Sequence, residues 1–145
     1  MIKVEVKNFN IATDRYIRLA KGRLNALAIT FIQDMNEEVV RNTPVDTGFL
    51  RASWSASIGT VANTRAGTAP SARGVSKDGM GTVSRMNLVG ARLRLGQTYY
   101  ATNGAAYAAH VEYGTSRMAP RAFVRGTLAR APAIAEAAAR KVAAL

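Results

Sequence analysis

The side chains best suited to chemistry in this sequence are Asp46, His110 and Glu112. Asp46 opens an Asp46-Thr47-Gly48 tripeptide, a setting that can present a carboxylate for acid hydrolysis. That reaction needs two carboxylates sharing one proton, so a chain with one copy would have to dimerise to supply the second. The flanks also fit it poorly, because a helical pattern, Pro44 and a single apolar residue, Val45, precede the tripeptide rather than a buried strand. As a corner, the same residues are well chosen. Pro44 forbids helix continuation and pushes Thr43 out of the α region. Asp46 and Thr47 offer acceptors for an Asx turn or an N-cap, Gly48 allows tight backbone geometry, and Phe49 and Leu50 would anchor the corner in the core. The structural turn Pro44, Asp46, Thr47, Gly48, Leu50 is the expected reading.

His110 stands alone as the only histidine and there is no cysteine, which argues against a histidine or thiolate metal site. It reads as a packed or hydrogen-bonded residue. Glu112 is an acid among apolar neighbours, Tyr107 to Tyr113 before Gly114, and such an acid needs a partner. The second half of the chain is rich in arginine, so a structural ion pair is expected there rather than catalysis. Gly90 to Gly96 lacks the Lys-Ser or Lys-Thr of a phosphate loop. Tyr99, Tyr100, Tyr107 and Tyr113 beside basic residues could stack on single-stranded nucleic acid, but tyrosines beside a turn are more often core and interface. No catalytic residue, cofactor or metal is expected.

The 145 residues are consistent with one domain spanning 1–145. A formal net charge of +11 points to acidic partners, either nucleic acid or an acidic protein surface. The longest apolar run, Ala26 to Ile32, is interrupted by Thr30, so no membrane span is expected.

The elements that position these residues follow from periodicity. Met1 to Ile11 alternates, with Ile2, Val4 and Val6 opposite Lys3, Glu5 and Lys7, which predicts a half-buried edge strand. Thr13 is the expected N-cap of a long helix whose stripe runs through Ile17, Ala20, Leu24, Leu27, Phe31, Met35 and Val39 to Asn42. Its length would be about 43 Å at 1.5 Å per residue. Trp54 to Ile58 reads as a strand, Gly59 to Gly81 as a basic flexible loop carrying Arg65, Arg73 and Lys77, and Thr82 to Leu95 as a second helix ended by Gly96. Gln97 to Thr102 reads as a short strand closed by an Asn103-Gly104 turn, and Met118 to Leu145 as a helical region interrupted at Pro132. The fold class is therefore α+β, with a small, mostly antiparallel sheet packed against a long N-terminal helix and further helices.

The long helix carries its charges against its own macrodipole. Arg15, Arg18, Lys21 and Arg23 lie in its first half, and Asp34, Glu37 and Glu38 in its second. With a solvated face carrying unoptimised charges as the alternative for the helix, these residues, with Arg65, Arg73 and Lys77, are the candidate contacts to other subunits or partners. On that view, reversing Glu37 and Glu38 to lysine would weaken assembly and leave the monomer's melting temperature unchanged or slightly raised.

Two blocks, TPVDTGFLRASW and TNGAAYAAHVEYGTSRMAPRAFVR, resemble the tail-completion or neck family of tailed bacteriophages, prophages and gene-transfer particles. The resemblance rests on Pro-Val-Asp-Thr-Gly-x-Leu-x-x-Ser at Pro44 to Ser53, Asn-x-x-x-Tyr-Ala-x-x-x-Glu-Tyr-Gly at Asn103 to Gly114, and Ala-Pro-x-x-Phe-x-Arg at Ala119 to Arg125. It covers most of the chain apart from the loop at about 59–81. It implies a structural virion protein without a catalytic site, assembled in the host bacterial cytoplasm into a ring, commonly of six subunits, at the neck or the head-proximal end of the tail. The implied partners are other copies of the chain, the head connector or adaptor, the tail tube or tail terminator proteins, and DNA passing through the lumen, with no membrane. The alternative is a basic nucleic-acid-binding protein acting alone, and a dimeric aspartic protease is a distant third.

Overall fold

The structure is a computed structural model that describes residues 9–45, 48–61 and 77–144. Its axis is α1, Phe9–Asn42, a helix of 34 residues that spans about 51 Å. Four short helices and one longer one surround its C-terminal half: α2 (Phe49–Ala52), α3 (Met80–Gly90), α4 (Ala108–Tyr113), α5 (Phe123–Ala129) and α6 (Ala131–Ala143). Strands β1 (Trp54–Ile58) and β2 (Tyr99–Asn103) pair antiparallel, with Trp54 opposite Asn103 and Ile58 opposite Tyr99. The α+β architecture expected from the sequence is the one observed.

The long helix starts earlier than its charge pattern implies. Phe9 to Ile11 are helical rather than part of a strand, and Thr13 lies within α1 rather than at its cap; residues 1–8 lie outside the described residues. The apolar stripe explains what α1 does next, because its later turns pack against α3, α5 and α6. Pro132 sits in the first turn of α6, where its missing N–H costs nothing, and it separates α5 from α6 as expected. The second helix differs at both ends. Met80 and Gly81 belong to α3, which stops at Gly90 rather than Leu95. Leu93 is nevertheless buried, because a turn in which its N–H donates to the Gly90 carbonyl at 3.1 Å folds it back. Gly96 therefore serves a loop turn and not a helix end.

The core forms where α1 ends: Val40, Leu50, Trp54, Val83, Met86 and Phe123 are all buried in one cluster. Trp54 and Phe123 meet edge to face at 6.3 Å between ring centroids, a favoured aromatic geometry. Burying an indole N–H requires an acceptor, and the wholly buried Thr43 provides it. The Trp54 Nε1–H donates to Thr43 Oγ1 at 2.9 Å, while that hydroxyl donates to the Val39 carbonyl at 2.6 Å. Thr43→Val keeps the shape and strands the indole N–H, so urea unfolding should show a loss of about 1–3 kcal/mol. Thr43→Ser should recover most of it; an unchanged unfolding midpoint in the valine variant would remove this bond from the account.

Candidate functional site

The corner after α1 is built differently from its sequence-level outline. Asp46 and Thr47 lie outside the described residues, and the N-cap of α2 is Gly48, with φ +89° and no side-chain cap. Pro44 is half-buried, and Gly48 and Leu50 are buried, so the turn feeds Leu50 into the core. The residue that ties the corner together is Arg51. Its Nε donates to the Thr43 carbonyl at 2.8 Å, Nη2 to the Arg41 carbonyl at 2.7 Å, and Nη1 to the Lys77 carbonyl at 2.8 Å. The last carbonyls of a helix lack intrahelical partners, and a planar guanidinium can serve several of them together. Burial lowers the Arg51 pKa, and the nearby Asp78 carboxylate partly offsets this. Sequence reasoning missed Arg51; the unsatisfied end of a long helix, next to an arginine held by a tight turn, was the available signal. Of the expected loop contacts, Lys77 is exposed and offers its backbone carbonyl to Arg51, whereas Arg65 and Arg73 lie outside the described residues.

Glu112 has the arginine partner its surroundings demand. Its Oε1 accepts from Arg125 Nε at 2.9 Å and from the Arg125 amide at 3.0 Å, and its Oε2 accepts from the Val124 amide at 2.8 Å. The carboxylate therefore caps the first turn of α5 from a different helix. Burial pushes its pKa up, but the two amides and the guanidinium outweigh burial and hold it below the ordinary value. Arg125 also lies over the exposed Tyr113 ring, 4.8 Å from its centroid, and Tyr107 stacks on Phe49 at 6.0 Å. Gly114 ends α4 with φ +77° and ψ 175°, which lets the chain turn back so that Arg121 N–H donates to the Val111 carbonyl at 2.9 Å. His110 is exposed and shares no site with these groups.

The two charged halves of α1 have different fates. Asp34 bonds Lys141 of α6 at 2.8 Å, Glu38 bonds Arg130 at the α5–α6 junction, and Glu37 bonds Arg41 one turn along. Asp34 and Glu38 thus hold the chain's own C-terminal helices, and Glu37 pairs within α1. These pairs reverse the expected effect on the monomer. Glu37→Lys with Glu38→Lys replaces attraction to Arg41 and Arg130 with repulsion, worth on the order of 1–2 kcal/mol. The melting temperature should fall by about 3–8 °C, and a variant melting at or above wild type would mean that these pairs do not hold the monomer. Arg15, Arg18, Lys21 and Arg23, by contrast, are all exposed, and none makes an ion pair among the described residues.

A groove of about 530 Å³ opens between α1, β2 and α5, lined mainly by apolar side chains including Ile32, Met35, Val39 and Leu128. At its polar side, buried Asn36 donates to Asn87 Oδ1 at 3.0 Å and accepts from the Tyr99 hydroxyl at 2.9 Å. Burial pushes the Tyr99 hydroxyl up to about 12, against the pull of its Asn36 bond. The lining contains no carboxylate, histidine or lysine, so the groove can seat an apolar group but offers no acid–base pair. Among the described residues, no three acids or histidines gather where they could hold a metal ion, and no helix is long and apolar enough to cross a membrane. Compared with protein-family models, curated proteins and solved structures, the chain matches none.

Proposed function

We propose that this chain is a structural protein of the head–tail junction in a tailed-phage-like particle, acting as a subunit of a ring through which DNA passes. One observation carries the reading furthest: the blocks that resemble the neck family meet in one corner, and their polar groups are used to build it. Thr43, Trp54 and Arg51 from the first block close the end of α1. Asn103 from the second donates to the Leu50 carbonyl at 2.9 Å, and Glu112 joins α4 to α5 through Arg125 of the third. Residues spent on holding elements together suit a structural subunit, and their placement offers no nucleophile paired with a base. Closed rings use two different faces of each subunit, and the apolar groove between α1, β2 and α5 is one surface that a neighbouring copy could cover.

The net charge of +11 favours a second reading, a basic nucleic-acid-binding protein acting alone. Inactivating the gene in its parent phage or prophage separates the two. The neck reading expects filled heads and detached tails by electron microscopy. Joined, infectious particles in normal numbers would reject it.

A further inference from the structure

The N-terminal part of α1 is an amphipathic helix with no other described element laid along it. From Thr13 to Leu24 every side chain is exposed except the half-buried Thr13 and Ala20. The cause is geometric. α6 runs back along α1 from the Glu38–Arg130 pair and ends with Val142 and Ala143 beside Leu24 and Leu27. Beyond that point the apolar stripe continues with no described element covering it. At 100° per residue, Leu19, Tyr16, Ala20, Leu24 and Ile17 fall within an arc of roughly 160°, and Tyr16 and Leu19 are 73% and 61% exposed. Arg15 and Lys21 border the arc, Arg18 lies behind it and Arg23 lies within it. An uncovered apolar stripe continuous with a packed one, and rimmed by charge, has the form of a helix docking face.

The charge identifies the occupant. A second copy of this chain is poorly equipped to complement four basic residues, because its acids are few and most of the described ones are taken. The chain has nine acids. Asp34, Glu37, Glu38 and Glu112 are held by Lys141, Arg41, Arg130 and Arg125, and Asp78 accepts from the Met80 amide at 2.9 Å. Only Asp14 and Glu136 remain outside such contacts among the described acids. Duplex nucleic acid would satisfy the arginines but gives no apolar cover, since its outer face is phosphate and sugar. A single strand could stack a base on Tyr16 but would leave Ile17, Leu19 and Leu24 uncovered.

We propose that residues 14–24 of α1 form the docking face for a different protein, one that presents an apolar ridge bordered by carboxylates. The inference rests on the neck reading only for where such a partner would be met, at the junction with a neighbouring particle component; its chemistry is argued from α1 alone. It makes ring formation dependent on that partner's surface rather than on attraction between α1 helices.

The test uses the purified full-length chain and a labelled synthetic helix with leucines on one face flanked by glutamates, followed by fluorescence anisotropy. The acidic helix should bind at least tenfold more tightly than the same helix with lysines in place of the glutamates. Tyr16→Ala with Leu19→Ala, and separately Arg15→Glu with Lys21→Glu, should each weaken binding by tenfold or more, with far-ultraviolet circular dichroism melts unchanged. No binding of the acidic helix overturns the proposal. So does self-association by sedimentation velocity that the Tyr16 and Leu19 variant abolishes, because the face would then belong to a second copy. Binding of a 20-base-pair duplex that is lost on reversing Arg15 and Lys21 but indifferent to Tyr16 and Leu19, with the acidic helix bound no better than its lysine counterpart, overturns it in favour of nucleic acid. None of these arms involves a virion, so the neck reading stands or falls separately on the gene-inactivation experiment.

Discussion

Glu112→Ala should destabilise the protein by about 2–4 kcal/mol, more than the loss of its partner in Arg125→Ala. Removing one member of a fully buried pair typically costs about 3–5 kcal/mol. Here the penalty sits at the lower end because the two partners are buried unequally: the Glu112 side chain is 6% exposed and that of Arg125 is 51% exposed. Without Glu112, the guanidinium can rehydrate, but the Val124 and Arg125 amides at the start of α5 lose their acceptor. Without Arg125, the carboxylate keeps both amides, so Arg125→Ala should cost only about 1–2 kcal/mol, from a half-exposed ion pair, the Nη2 bond to the Glu112 carbonyl and a cation–π contact. Urea unfolding of the two variants would measure the difference. Equal losses would mean that the ion pair, not the cap, is what matters.

The acid limb of the stability curve provides an independent check on the same residue. The Glu112 carboxyl titrates below its ordinary value of 4.5 in the folded chain. The unfolded chain therefore takes up this proton first as pH falls, and the stabilisation present above about 4.5 is lost as pH drops through the folded value. Glu112→Ala has no such proton, so its stability should fall less steeply than wild type's below that point. Parallel curves would assign the acid sensitivity to other carboxylates.

That Glu112 needed an arginine was legible from its apolar neighbours; that the arginine is Arg125, and that two amides share the acid, was not. The turn from Gly114 to Ala122 decides where α5 begins, and Ala122 adopts a positive φ of 43° that its residue type does not advertise. The charges of α1 show the same limit. Spacing along one helix reveals only partners three or four residues away, such as Glu37 with Arg41. Arg130 and Lys141, which hold Glu38 and Asp34, lie 92 and 107 residues further on. What seemed a helix at odds with its dipole is a helix matched to the two that pack on it. The stripe of α1 was readable because one period governs its whole length, whereas the extent of α3 was not. Leu93 falls at helical spacing from Val83, Met86 and Val89 yet reaches the core through a turn. Gly90 ends the helix where the backbone must come close to Ile32, whose Cγ2 would lie 3.3 Å from an added Cβ.

Gly114→Ala should be among the most damaging single-methyl additions in the chain, costing about 2–5 kcal/mol, because two penalties coincide with no route of escape. The first is conformational: φ +77° with ψ 175° is a region that side-chain-bearing residues hardly visit, at a cost of about 1–3 kcal/mol. The second is steric. An added Cβ would sit 2.7 Å from the Pro120 nitrogen and 2.8 Å from the Met118 carbonyl oxygen, and neither can swing aside as a side-chain end can. Both belong to the return segment, in which the Thr115 amide donates to the Met118 carbonyl at 2.8 Å and Arg121 and Ala122 donate to the Val111 and Glu112 carbonyls. Pushing Pro120 outward would therefore strain the segment that delivers Val124 and Arg125 to Glu112. Overpacking of this kind adds about 1–3 kcal/mol. Gly79 is the informative comparison: it also has a positive φ, of 75°, and its added Cβ would lie only 2.5 Å from Val40 Cγ1, but that atom is a single side-chain methyl, which a small shift of Val40 relieves in part, whereas Gly114 faces backbone atoms on both counts. Gly114→Ala should thus cost more than Gly79→Ala in the same urea series, and part of its cost should vanish when Glu112 is already alanine. A double-mutant cycle reads that coupling directly; strict additivity would show that the turn and the α5 cap are independent features of the fold.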